Sequence, residues 1–279
     1  MKKYIIFFLI FGIILYFASF WINGNFYFVL FDDEMISMWY ARTLNSITEG
    51  YSNPLWTLIM IPCQLLPKNL ASLPIILINS FCFVGFMGLS KKDYLIGMLG
   101  LSKNPLLLGL TFPLLFWAIR GVEFIPITFL FFYAIKTNKL IIPMILIMLL
   151  RSDGFVFAGI LLLMNFKLEY LYYYLGTLAL IFGIRLLIYQ DFFPNTYYLK
   201  LGYPLTERIS RSFQSQNWIF LLTPYKYILP IGLIFLYNMF IGGDAWEQYG
   251  FLNRFLIITI PLFFEMVNFK ELFLVKIVS

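Results

Sequence analysis

The sequence contains no histidine. That absence removes imidazole acid–base catalysis, Ser-His-Asp triads and most transition-metal sites, so any chemistry falls to carboxylates, Arg, Lys or Tyr. Charge is scarce as well. Asp, Glu, Lys and Arg make up 12% of the 279 residues, against about 25% in ordinary soluble domains. Cysteine is nearly absent: Cys63 and Cys82 stand in apolar runs without CxxC spacing, which reads as packing rather than redox or metal chemistry. No internal repeat, linker or low-complexity segment breaks the chain.

What fills the space is apolar. Hydrophobic residues account for 61% of positions and the mean hydropathy is +0.85, values that exclude a soluble domain of ordinary size. A bilayer core about 30 Å thick takes roughly 20 apolar residues per helical crossing. The expected fold is therefore all-α: a polytopic transmembrane helical bundle of about eight to ten membrane helices, several of them short, forming a single domain over residues 1–279. The net charge of +6 is spread singly or in pairs between apolar runs rather than over a basic face. That pattern points to membrane orientation and away from nucleic acid.

Lys2 and Lys3 before the apolar run from Tyr4 to Trp21 hold the N-terminus inside, and no small-residue cleavage site follows, so this run reads as an uncleaved first helix. Residues 22–70 then form a first external loop. Within it, Asp32 to Asn45 is amphipathic, with Met35, Met38, Trp39 and Ala41 set against Asp32, Glu34, Ser37 and Arg42, as suits a helix lying along the membrane surface. Leu55 to Leu66 is too short to cross and is interrupted by Pro62 and Gln64, which predicts a second surface or re-entrant helix. Leu73 to Leu89 is the next expected span, followed inside by Lys91 and Lys92. Further spans are expected at Tyr94 to Trp117, Phe124 to Ile135, Leu140 to Leu150, Phe155 to Phe166, Leu171 to Tyr189 and Tyr227 to Ile241. A short crossing at Ser212 to Leu222 keeps the parity, and Phe255 to Val267 returns inward.

Under this topology the inner turns carry Lys, whereas Arg and carboxylates meet in the outer ones. Asp32-Asp33-Glu34 opens the amphipathic helix; one acid suffices to cap a helix, and three in succession also suit a general base or a metal ligand. Glu49 to Trp56 is a Gly- and Pro-punctuated turn with Asn53 at its centre. Arg120 to Glu123 and Arg151 to Gly154 each set an Arg near an acid at a helix end. Ion pairing that softens burial explains this, and so does a fork for phosphate, which Lys cannot match. Pro194 to Lys200, containing Asn195, and Gly242-Gly243-Asp244, with Arg254 shortly after, complete the outer set. Tyr197 and Tyr198 read equally well as interfacial belt residues.

Taken in order, these segments resemble the GT-C superfamily of polytopic glycosyltransferases. The closest pattern is that of the terminal arabinofuranosyltransferases of mycobacterial cell-wall arabinan and their bacterial relatives. The resemblance rests on the paired Asp32-Asp33 before an aromatic-rich helix, the Glu49 to Trp56 element, Gly121-x-Glu123, Arg151 to Gly154 with Ser152 in place of proline, Pro194 to Lys200, and Gly242 to Asp244. It implies transfer of a sugar from a polyprenyl phosphate donor to a hydroxyl of a glycan, lipid or protein acceptor, at the outer face of a cytoplasmic membrane. It further implies Asp33 or Asp32 as the base, with Asp33 preferred because acids flank it on both sides. Arg151, Arg254 and Lys200 would hold the donor phosphate. Glu49, Asn53, Glu123, Asp153, Asn195 and Asp244 would arrange sugar and acceptor, and any divalent cation would fall to Asp32 and Asp33. Two other classes stay open: a flippase or transporter of lipid-linked sugars, for which Arg185 is the strongest mid-helix candidate, and an inactive assembly partner in the membrane.

Overall fold

The computed structural model describes residues 53–67, 70–89, 122–214, 227–242 and 254–262, with a few further residues within 10–17, 37–42 and 114–118. Helix dominates, and no strand occurs among the described residues. Helix α1 spans Pro54–Met60 and starts on a proline, whose missing N–H is one that a first turn leaves unbonded anyway. It stops where the sequence predicts, at Pro62, which opens a 3-10 turn over Pro62–Leu65. Helix α2 covers Leu73–Leu89, the expected span to the residue.

Next come α3 (Phe124–Thr137), α4 (Ile141–Leu150), α5 (Gly154–Met164) and α6 (Leu168–Tyr189). Short turns join them, so successive helices run in opposite directions. Asn138, at φ 56°, and Gln190, at φ 57°, end α3 and α6 in the left-handed conformation typical of helix C-termini. Two shorter helices follow, α7 (Asn195–Leu201) and α8 (Leu205–Gln214), before the apolar α9 (Ile228–Ile241) and a 3-10 segment over Arg254–Thr259.

α3 is the hub: it packs on α2, α4, α5 and the last 3-10 segment, while α9 closes over α5, α8 and that same segment. The tightest contact is at Gly154, where a Cβ would stand 2.2 Å from the carbonyl oxygen of Ile147. Only glycine lets α5 leave the turn this close to α4. Trp56, Phe124, Phe131, Phe132, Phe157 and Phe255 are fully buried in the core this creates, and Cys63 and Cys82 are buried free thiols, as their apolar setting predicts.

Lengths decide which helices can cross a bilayer alone. The 22 residues of α6 reach about 33 Å at about 1.5 Å per residue, and it is the one helix among the described residues long and apolar enough to do so. The expected all-α character is thus met among the described residues, which include one helix of crossing length. α6 buries only a stripe of Thr177, Ile181 and Arg185, leaving Leu175, Leu180, Ile184 and Leu187 exposed.

The described residues bear on three further expectations. Of the expected crossing at Ser212 to Leu222 only residues 212–214 are described, and they close the polar, amphipathic α8, beside Glu207, Arg208 and Arg211; the rest lies outside the described residues. In the surface helix before α1, of which residues 37 and 39–42 are described, Ser37 is buried along with Ala41 while Trp39 is exposed, so a position of the polar set faces inward. Arg185 lies near the end of α6 rather than at mid-depth, where its Nε donates to the Phe192 carbonyl at 3.0 Å and its guanidinium lies over the Tyr189 ring.

Candidate functional site

One end of the bundle gathers the start of α3, the α4–α5 turn, the start of α1 and the later part of α9. Glu123 precedes α3, where the helix dipole favours a carboxylate. Its buried side chain accepts from Arg151, with Arg151 Nη1 at 2.5 Å from Oε1. Arg151 ends α4 in an extended conformation, φ −153° and ψ 138°, which turns its side chain back over the helix ends. Its Nε lies 2.5 Å from Asp153 Oδ1, an ion pair held by charge because the angle falls short of a hydrogen bond. The guanidinium carbon is 4.7 Å from the centre of the Phe124 ring and 5.3 Å from that of Phe255, and these two rings meet edge to face. Aromatic faces on two sides stabilise the cation and keep water from it.

Polar contacts extend the pair in both directions. Asn53 Nδ2 donates to Ser37 Oγ at 2.8 Å and, more weakly, to Glu123 Oε2 at 3.5 Å, while Asn53 Oδ1 accepts from Thr57. On the far side, Tyr237 of α9 donates its hydroxyl to Asp153 Oδ2 at 2.8 Å. A continuous chain Ser37–Asn53–Glu123–Arg151–Asp153–Tyr237 therefore links segments 200 positions apart. Taking an Arg and two carboxylates out of water is costly, and well-packed apolar residues would stabilise a fold as well or better. The arrangement calls for a reason other than stability.

Beside the network opens a small cleft of about 40 Å³, bordered by Arg151, Ser152 and Asp153 on one side and by Pro194, Thr196 and Lys200 on the other. Lys200 is in the last turn of α7, and its Nζ lies 5.6 Å from the centre of the Phe255 ring, the ring that also carries Arg151. Two cations and the carboxylate of Asp153 thus border one cavity. Cations so placed suit phosphate oxygens, and a carboxylate suits a hydroxyl.

The loop that presents Lys200 is braced from within. Asp191 Oδ1 accepts from the backbone N–H of Phe192 at 2.8 Å and from the Tyr198 hydroxyl at 2.6 Å, and Phe193 stacks on Tyr197 at 4.5 Å. The Tyr198 hydrogen bond is the main reason that the Asp191 carboxyl sits below its ordinary range, and the same bond pushes Tyr198 up. One residue beyond Ile241, which borders the cleft, Gly242 ends α9 at φ 82°, and a Cβ there would come within 2.8 Å of Arg208 Cγ. Arg208 donates to the Phe240 carbonyl at 2.6 Å, so the first glycine of the Gly-Gly-Asp element serves the helix end.

Of the residues expected from sequence, the fold brings Asn53, Glu123, Arg151 and Asp153 into one network and sets Lys200 across the cleft from Arg151. Asn195 is exposed on α7 and does not border the cleft, although its neighbours Pro194 and Thr196 do. Asp32, Asp33, Glu49 and Asp244 lie outside the described residues, as does the side chain of Arg254. No group of three potential metal ligands occurs among the described residues. Sequence reasoning missed Tyr237 and Phe255, which carry no motif, and it assigned Ser37 to the solvent side. Compared with known proteins, the chain matches no family model, no curated protein and no solved structure.

Proposed function

We propose that this chain is a multi-pass membrane glycosyltransferase that moves a sugar from a polyprenyl phosphate donor to an acceptor hydroxyl, with its site at the Arg151 end of the bundle and facing outward. The observation that carries the reading is the convergence of Asn53, Glu123, Arg151, Asp153 and Lys200. The GT-C resemblance selects them from four separate stretches of sequence, and they border one network and cleft. The bilayer part of the reading is supported by α6, whose apolar surface is mostly exposed, unlike the core helix of a soluble protein. The position of Arg185, engaged at a helix end, weakens the transporter alternative.

In the proposed reaction the acceptor oxygen attacks the anomeric carbon while the bond from that carbon to the phosphate oxygen breaks. The acceptor proton passes to Asp33 or Asp32, and polyprenyl phosphate departs with its negative charge held by Lys200 and Arg151. Asp153, oriented by Tyr237, accepts hydrogen bonds from sugar or acceptor hydroxyls. The test supplies membranes containing the chain with a panel of radiolabelled polyprenyl phosphate pentoses and hexoses. Transfer is expected for one of them, reduced roughly 100-fold or more in Asp33→Asn or in the Asp32→Asn/Asp33→Asn double variant. Undiminished transfer in the double variant removes the base assignment, and no transfer from any donor by folded wild-type chain removes the enzyme.

A further inference from the structure

At the opposite end of the bundle lies a larger and different cavity. It is an open groove of about 810 Å³ between α2, α3, the α3–α4 turn and the start of α6. Its walls are apolar, with Phe81, Phe129, Tyr133 and Ile142 among them, and Phe81 and Ile142 are 61% and 70% exposed. The volume falls within the roughly 300–1,000 Å³ typical of small-molecule sites. Its polar lip is basic: Asn138 and Lys139 border it directly, and Lys167 places its Nζ 5.2 Å from the ring of Tyr170, another wall residue. Lys136 lies in the last turn of α3 at the same end, and Glu169 is the acid nearest in sequence.

We infer that this groove holds one anionic diacyl phospholipid of the inner leaflet, its chains along Phe81, Phe129 and Ile142 and its phosphate between Lys139 and Lys167. The inference rests on the membrane reading proposed above, though not on the glycosyltransferase reading. Charge complementarity selects the occupant. An apolar trough alone accepts any acyl chain, but Lys139 on the lip and Lys167 beside the wall residue Tyr170, at the end where the inner turns carry Lys, favour a headgroup with net negative charge. A second copy of the chain would have to bring acids to the same lip.

The experiment is native mass spectrometry of the full-length chain, equilibrated in micelles with equal amounts of phosphatidylglycerol and phosphatidylcholine. Wild type is expected to retain one phosphatidylglycerol with roughly tenfold preference. Lys139→Gln/Lys167→Gln should abolish the preference, and Ile142→Trp, which fills the trough, should remove both lipids while thermal unfolding in lipid-free micelles stays at the wild-type value. Equal retention of the two lipids, a preference that survives the double lysine variant, or a lipid-free dimer that Ile142→Trp dissociates would each overturn the assignment. Alkaline extraction of membranes separates the two levels: release of the chain defeats the bilayer reading itself, whereas retention without lipid preference defeats only the groove.

Discussion

Removing the guanidinium of Arg151 would leave the buried Glu123 and the partly buried Asp153 without their counter-charge. Arg151→Ala is therefore expected to destabilise the fold by about 3–5 kcal/mol, the usual consequence of breaking a buried ion pair from one side. Arg151→Lys should fall between, because an ammonium cannot reach two carboxylates in a planar fork. Glu123→Gln combined with Arg151→Met should recover part of the loss, since both charges leave together. Thermal unfolding in micelles reads all three, and a wild-type midpoint for Arg151→Ala would show that the pair is not buried in the working protein. Tyr237 has a separable role: its hydroxyl fixes one oxygen of Asp153, so Tyr237→Phe frees that oxygen while leaving the Arg151 contact in place.

Among the elements, the braced loop before α7 has a pH signature. The folded-state pKa of Asp191 is lowered, mainly by the Tyr198 hydroxyl, so its contribution is present above the ordinary carboxylate range and is lost as pH falls through the lowered value. Tyr198 is raised by the same bond, so its contribution holds below the ordinary tyrosine range and is lost as pH rises through the raised value. Tyr198→Phe should therefore flatten both limbs of a stability-against-pH curve; a variant whose acid limb matches wild type would rule out the bond as the cause. Helix positions were legible where an apolar run met a breaker, as at Leu73–Leu89 or at Pro62. Inward faces were not. α2 and α9 are apolar on all sides, so periodicity cannot say that Tyr237 reaches Asp153, and the short surface helix buries Ser37 because Asn53 offers it a hydrogen bond. The site was legible in part, because charges in so apolar a chain are few enough to be weighed one by one. Phe255 escaped since its role, a shared face for Arg151 and Lys200, exists only after α3, α7 and the last 3-10 segment are packed together.

For the whole molecule, the proposed orientation separates the Lys139 lip from the α7 cleft by the full depth of the bundle. Cysteine placed at Lys139 should react with an impermeant maleimide only from the cytoplasmic side, and cysteine at the exposed Asn195 only from outside. Reaction of both from one side would refute the up-and-down arrangement. The brevity of α4 and α5, 10 and 11 residues, has a further consequence in a bilayer. At about 15–17 Å each, they fall well short of its roughly 30 Å interior, and in the proposed multi-pass arrangement thinning of the lipid beside them would be one way to meet their polar ends. Such a dimple would lower the headgroup plane beside the cleft, so a long-chain phosphate could slide sideways onto Lys200 without being lifted out of the leaflet.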